Sequence, residues 1–192
     1  MKFTLPLLFL FLASISFAQT QSTKDQIASA VLAASKVQRN GATVMGYNAD
    51  GKFITLRKGS NELICLADNP NQKGFSVACY HKDLEPMMAR GRALKSEGKN
   101  SGEIDKIRAE EAVSGKLKMP KSATTLHVLS GASAHYDAAK NEVVGATLRY
   151  VVYIPFATQE TTGLPLQPVV KGGPWLMFPG TYRAHIMINP VN

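Results

Sequence analysis

Residues 62–80, ELICLADNPNQKGFSVACY, set the kind of fold this chain adopts. Two apolar runs, Glu62 to Ala67 and Phe75 to Tyr80, flank Asp68-Asn69-Pro70-Asn71-Gln72-Lys73-Gly74, a segment of turn-forming residues. The pattern predicts a β-hairpin centred near Gln72. In that hairpin Cys65 and Cys79 stand opposite each other, and they are the only 2 cysteines of the 192 residues. With no Cys-x-x-Cys and no close histidine partner, a structural disulfide is expected rather than a metal or redox centre. A bridge closing a loop of this size contributes about 3 kcal/mol through loop-closure entropy.

Two more strand candidates precede the hairpin, Ala42 to Tyr47 and Lys52 to Arg57, with Asn48-Ala49-Asp50-Gly51 and Lys58-Gly59-Ser60-Asn61 as links. Links this short make an antiparallel meander the simplest arrangement. Upstream, Thr23-Lys24-Asp25-Gln26 has capping-box spacing, and Ile27, Val31, Ala34 and Val37 recur at helical spacing until Asn40-Gly41. Downstream, Asp83 is placed to cap a helix that tolerates Pro86 in its first turn, with Leu84, Met87, Met88, Gly91 and Leu94 on one face. That face reads as core, with a soft methionine-lined groove as the alternative. Gly98 to Gly102 interrupts the helix, a weaker pattern of Ile104, Ile107 and Val113 runs to Gly115, and Pro120 ends the helical region.

Strands return at Thr125 to Leu129, Thr147 to Ile154 and Arg183 to Ile188, the last two separated by the Gly- and Pro-rich segment Thr161 to Gly180. Strands, helices and strands again, without regular alternation, predict an α+β domain: a largely antiparallel sheet with an N-terminal helix and a central helical pair. A split barrel of the flavin-binding kind is the alternative, although no phosphate-binding residues of such a site are identifiable. No internal repeat or low-complexity tract is present.

The first eighteen residues read as a signal peptide. Lys2 is a positive n-region, Leu5 to Ile15 an apolar run broken only by Pro6 and Ser14, and Ser16-Phe17-Ala18 a cleavage site. The mature chain then starts at Gln19, and no Cys follows the cleavage point to carry a lipid. No other stretch approaches the roughly 20 apolar residues of a spanning helix. Removing 18 of 192 residues leaves 174, enough for one domain over residues 19–192. Losing Lys2 takes the formal charge from +8 to +7. An exported protein of that charge favours acidic ligands or anionic envelope components. From Lys82 to Lys121, 10 Lys or Arg are interleaved with 7 Asp or Glu, the pattern of a solvated helical surface rather than a nucleic-acid track.

Several segments resemble a family of uncharacterised secreted bacterial proteins: Ala42-Thr43-Val44-Met45, Leu56-Arg57-Lys58-Gly59-Ser60-Asn61, the two cysteines around Asp68-Asn69-Pro70, Gly172-Gly173-Pro174-Trp175-Leu176-Met177, Pro179-Gly180-Thr181 and Ala184-His185-Ile186-Met187. The likeness covers most of the mature chain. It implies export and the disulfide, transfers no reaction, ligand or catalytic residue, and marks the Trp175 loop with Ala184 to Met187 as the most distinctive segment.

No Gly-rich phosphate loop, Gly-x-Ser-x-Gly elbow or His-Glu-x-x-His helix is present. Ser130-Gly131-Ala132-Ser133 is small enough to expose a hydroxyl, but a serine-capped loop explains it equally well. Of the histidines, His81, His127, His135 and His185, the second and third lie near Asp137 and Glu142 without diagnostic metal-ligand spacing, so no metal and no cofactor are expected. The glycines and prolines around Trp175 to Phe178 suit one wall of a ligand cleft, or a loop folded over a sheet edge. Period-two alternation puts Arg183, His185 and Met187 opposite Ala184, Ile186 and Ile188. If Thr147 to Ile154 is the neighbouring strand, Arg149 and Tyr153 join Trp175, Arg183 and His185 as candidate ligand-binding residues, with Arg183 presenting its fork of donors to an anion. The structural alternative pairs Arg183 with a carboxylate such as Glu142 or Glu160 and bonds His185 to backbone.

The leading expectation is therefore an exported, periplasmic or secreted binding module for an acidic small molecule or envelope component, with no nucleic-acid partner and no transmembrane segment. The competing expectation is a secreted hydrolase using histidine or a metal, drawing on His127, His135, Asp137 and His185. Processing predicts an intact mass beginning at Gln19; an exported form retaining residues 1–18 would overturn the compartment and the charge argument together.

Overall fold

A computed structural model of the chain describes residues 21–191, so the segment read as the signal peptide and the expected cleavage point lie outside the described residues. The elements in chain order are α1 (Thr23–Ala30), β1 (Thr43–Tyr47), β2 (Phe53–Arg57), β3 (Leu63–Leu66), β4 (Phe75–His81), α2 (Glu85–Ser96), α3 (Ser101–Val113), β5 (Thr124–Gly131), β6 (His135–Asp137), β7 (Glu142–Val144), β8 (Thr147–Tyr153), α4 (Gln159–Thr162), β9 (Trp175–Met177) and β10 (His185–Ile188). Eight strands form one sheet in the order β2-β1-β3-β4-β5-β8-β10-β9, and β6 and β7 make a separate hairpin. The fold is α+β as the sequence predicts. The sheet is open, with β2 and β9 at its edges, so the split-barrel alternative does not hold.

The cysteine hairpin is its centre. Cys65 of β3 pairs with Cys79 of β4, their Cα atoms are 4.0 Å apart, and the sulfurs are bonded. Strand alternation then sorts the neighbours of Cys79. Phe75, Val77 and Cys79 pack with Ala30, Val31, Ala33 and Ala34 at the α1 end of the chain, whereas Tyr80 packs on the opposite face with Leu84, Met87 and Leu117. Burying side chains of this size contributes roughly 1.5–3 kcal/mol each. The middle strands are thus covered on both sides, which accounts for their near-continuous apolar sequence.

Strands β1 to β4 do not form a meander. β1 pairs antiparallel with β2 on one side and parallel with β3 on the other. The Lys58-to-Glu62 link must therefore cross the start of β1. It does so in direct backbone contact: Ser60 and Asn61 N–H groups both donate to the Gly41 carbonyl, at 2.7 and 3.0 Å, and Gly59 N–H donates to Thr43 Oγ1 at 3.0 Å. A Cβ on Gly59 would sit 2.2 Å from the Thr43 nitrogen and 2.4 Å from the Gly41 oxygen.

The N-terminal helix is shorter than its periodicity implies. Ser22, not Thr23, caps it, accepting from Asp25 N–H at 3.1 Å. After Ala30 the chain tightens into a 3₁₀ turn over Val31–Ala33, and Ala34 is extended. Small buried residues hold this turn against the disulfide, with the Ala30 carbonyl 3.3 Å from Cys79 Sγ. Arg39 Nε takes the Ala34 carbonyl at the break, at 3.0 Å, and Arg57 Nη2 takes the Arg39 and Ala42 carbonyls of the chain leading into β1, at 2.6 and 2.9 Å. Val37, expected on the apolar face, is exposed.

At the next helix Asp83 is not the cap. Its N–H donates to His81 Nδ1 at 3.3 Å in a 3₁₀ turn, and α2 follows from Glu85 with Pro86 in its first turn. α3 starts on a capping box in which Asn100 accepts from Glu103 N–H at 3.1 Å and donates its own N–H to Glu103 at 2.9 Å. Arg90 of α2 grips Glu111 of α3 with two parallel bonds, Nε to Oε2 at 2.9 Å and Nη2 to Oε1 at 2.8 Å. The hairpin β6–β7 and the strand Trp175–Met177 depart from the expected elements: each strand is three residues long, too short for a periodic pattern to register, and β6 and Trp175–Met177 each pair with the strand that follows in the chain. Among the described residues no helix is long and apolar enough to cross a membrane.

Two outcomes follow from this packing. Gly59→Ala must separate the crossing from β1, and we expect a loss of roughly 3 kcal/mol, read as the shift of a urea-unfolding midpoint; an unchanged midpoint would show that the crossing yields freely. Hydrogen bonds from Arg90 hold the Glu111 carboxyl below the usual glutamate range, with burial opposing them. A depressed carboxyl stabilises the fold above its unfolded value and loses that contribution as pH falls through its folded one. Glu111→Gln should therefore lower stability at neutral pH and flatten its decline below about pH 4.3, measured by unfolding at a series of pH values.

Candidate functional site

β10 runs antiparallel between β8 and β9, with His185 opposite both Tyr153 and Met177, and Met187 opposite both Val151 and Trp175. Tyr153, His185, Trp175 and Arg149 consequently share the sheet face on which α2 and α3 lie. The structure gathers Tyr153, His185 and Arg183 around Phe178: the His185 ring lies 5.2 Å from Tyr153 and 5.7 Å from Phe178, and the Arg183 guanidinium 3.7 Å over Phe178. Trp175 falls two residue pairs further along β10, opposite Met187. Arg149 lies towards the far end of β8, donating to Ser130 Oγ at 3.0 Å.

Arg183 and His185 each have a structural partner. Arg183 Nε is 3.3 Å from Asp105 of α3, which also accepts the Tyr182 hydroxyl at 2.7 Å. The carboxylate is thus Asp105 and neither Glu142 nor Glu160. His185 is 6 % exposed, and its Nδ1 is 2.8 Å from the Arg183 carbonyl. That contact puts the proton on Nδ1. Burial pushes the ring below the ordinary histidine range, the bond to the Arg183 carbonyl opposes it, and the Arg183 charge adds to the lowering. His185 is therefore neutral at neutral pH.

The remaining histidines do not join it. His127 stands opposite Cys79 and Tyr150, on the α1 face, so the sheet separates it from His185. Its ring meets Tyr150 edge-on at 5.0 Å, and burial pushes its pKa down. His135 is exposed on β6, where Asp137 accepts from Ala139 and Lys140 N–H groups at 3.0 and 3.2 Å. Among the described residues no three His, Cys, Asp or Glu side chains converge as metal ligands would.

A different part of the same sheet face is concave. Leu84, Met87 and Met88 cover the middle strands, packing with Ile64, Leu66, Tyr80, Leu126 and Tyr153. Towards the β2 edge the face continues with Tyr47 of β1 and Phe53 of β2, and a cleft of about 440 Å³ opens between these rings and the last turns of α2. Phe53, Tyr47, Leu66 and Ala78 are apolar lining drawn from four adjacent strands, β2, β1, β3 and β4. Arg92, Lys95 and Ser96 line it from the helix, and Asn69, Gln72 and Ser76 from the hairpin loop and the start of β4.

The aromatic wall and the cations are held in place. Tyr47 and Phe53 meet edge-to-face at 5.2 Å, and Arg92 lies 5.5 Å over the Phe53 ring. Arg92 Nη2 donates to Glu85 at 2.5 Å and Nη1 to the Tyr80 oxygen at 3.2 Å, while the Tyr80 hydroxyl donates to the other Glu85 oxygen at 2.5 Å. Burial and the Glu85 bond push the Tyr80 phenol far up, so it remains a donor. Lys95 makes no ion pair among the described residues. At the hairpin end Asp68 accepts Ser76 N–H at 2.8 Å; burial raises its carboxyl, while backbone N–H groups of Ser76 and Asn69 oppose the rise.

None of Tyr47, Phe53, Arg92 and Lys95 was singled out from sequence. Met88, Arg92 and Lys95 do fall along one flank of the α2 apolar stripe, a readable signal. The rings that face them come from a hairpin some forty residues earlier, and periodicity carries no information about that pairing. Compared with protein-family models, with curated proteins and with solved structures, the chain gives no match.

Proposed function

We propose that this chain is an exported binding module for an acidic small molecule and that the cleft beside α2 is its site. The observation that carries the reading is the meeting of an aromatic, apolar wall with two cations in one concavity of about 440 Å³, the usual composition and size of a small-molecule pocket. Export is supported by the n-region, apolar run and small-residue cleavage site at the N-terminus and by the Cys65–Cys79 bridge, which persists in an oxidising compartment. The hydrolase reading has less behind it, since His127 and His185 occupy opposite faces of the sheet.

A second location for the ligand is the patch of Trp175, Arg183, His185, Arg149 and Tyr153. Phe178, which carries the Arg183 guanidinium on its ring, holds a left-handed backbone at φ 53°, and such conformations cluster at functional sites. One assay separates the two. Titrating the mature protein with 8-anilinonaphthalene-1-sulfonate, an aromatic anion, should give saturable binding that Lys95→Glu weakens at least about tenfold at unchanged melting temperature, with Arg183→Ala retaining wild-type affinity. Loss of binding with Arg183→Ala alone would move the site to the C-terminal patch. Absence of saturable binding would overturn the proposal.

A further inference from the structure

Resting on that reading, we infer that the cleft beside α2 selects a planar aromatic monocarboxylate. The charge follows from counting partners. Arg92 is tied to Glu85 and Tyr80 through both terminal nitrogens, so its positive charge is largely matched before any ligand arrives. Lys95 is the one cation of the lining that the described ion pairs leave unmatched. A single compact ammonium with rotatable donors meets one anionic group; a di- or polyphosphate needs several unmatched cations or a bidentate Arg fork, and here the fork is occupied.

The body of the ligand follows from the wall. Phe53 lies opposite Tyr47, and Leu66 opposite Ala78; Leu66 is in register with Met45, so the second pair is stepped two residues along β1 from the first, and the four strands together span roughly 14 Å at the usual strand spacing. The β2 end is two rings fixed edge-to-face, and the β4 end is aliphatic and flat because Ala78 projects little. A rigid planar body covers such a wall without losing rotamer freedom and adds a third member to the aromatic contact. An ammonium at one edge then positions the carboxylate, and the Gln72 carboxamide is available to a polar ring substituent, as is the Ser96 oxygen as an acceptor, its proton being given to the Ala93 carbonyl at 2.7 Å.

The test is isothermal titration of the mature protein with naphthalene-2-carboxylate, naphthalene-2-carboxamide, decanoate and pyrophosphate. The carboxylate should bind about tenfold or more tightly than its neutral amide, Lys95→Gln should abolish that preference while leaving amide binding unchanged, and decanoate and pyrophosphate should bind more weakly than either aromatic. Equal affinity for carboxylate and amide would overturn the charge assignment, and tighter binding of decanoate or pyrophosphate would overturn the aromatic class. If none of the four binds while 8-anilinonaphthalene-1-sulfonate still does, the ligand class is wrong and the binding module stands; if the sulfonate fails as well, both fall.

Discussion

A Cβ at position 59 would lie 2.2 Å from the Thr43 nitrogen, and the rest of the architecture depends on that position having none. Because Gly59 lets the chain cross flush over the start of β1, β3 can pair with the free side of β1 instead of with β2. β1 then becomes an interior strand, with β2 outside it at the sheet edge. Had the links folded as a meander, β2 would lie between β1 and β3. Phe53 would then stand among the middle strands, and Tyr47 alone would reach the edge. The wall of the candidate site thus originates in a steric vacancy near the other end of the strands.

The crossing would be of little consequence if the sheet were covered on one side only. It is covered on both. The α1 segment, with its 3₁₀ turn, lies against the disulfide face, and the α2–α3 pair against Tyr80 and its neighbours. Two short helices cannot cover eight strands, so the apolar cluster ends before the β2 edge, and the concavity is what the helix pair leaves uncovered. The Tyr80–Glu85–Arg92 network sits at that boundary. It joins a core phenol of β4 to the exposed flank of α2, so the guanidinium that lines the cleft is anchored by the core. Arg92 is thereby a fixed part of the lining whose charge is already matched, and a ligand meets no ordering cost there, the sense in which this wall is preorganised.

The electrostatics of the two ends of the sheet differ in kind. At the C-terminal end Arg183 is matched by Asp105 and stacked on Phe178, and His185 is buried and neutral. These contacts tie β10 and the Phe178 turn to α3. At the α2 end the charges sit at the rim, and one of them faces solvent without a carboxylate. The formal charge of +8 describes neither situation, because the consequence of a cation is set by whether a partner already holds it.

Local chemistry determined much of this protein. Turn residues 68–74 between two apolar runs gave the hairpin and placed Cys65 opposite Cys79; glycines and Asn100 bounded α3; the alternation of strands and helices gave the α+β class. These features depend on contacts between residues near in sequence, and propensity and spacing record such contacts directly. The parallel β1–β3 pairing, the early end of α1, the strand at Trp175 and the cleft were decided only in the tertiary structure. The first two result from competition among alternative partners: a short link permits a meander or a crossing, and backbone sterics at Gly59 select the crossing; a helical pattern from Ile27 to Val37 is cut where Ala30 to Ala34 must stay in contact with the disulfide. The strand at Trp175 forms on the edge of β10, which follows it in the chain but is itself placed by the more distant β8. The candidate site is the clearest case. Arg92 and Lys95 read as the solvated flank of a helix, and Tyr47 and Phe53 as hairpin residues, until the helix pair and the edge strands meet across a gap that neither fills.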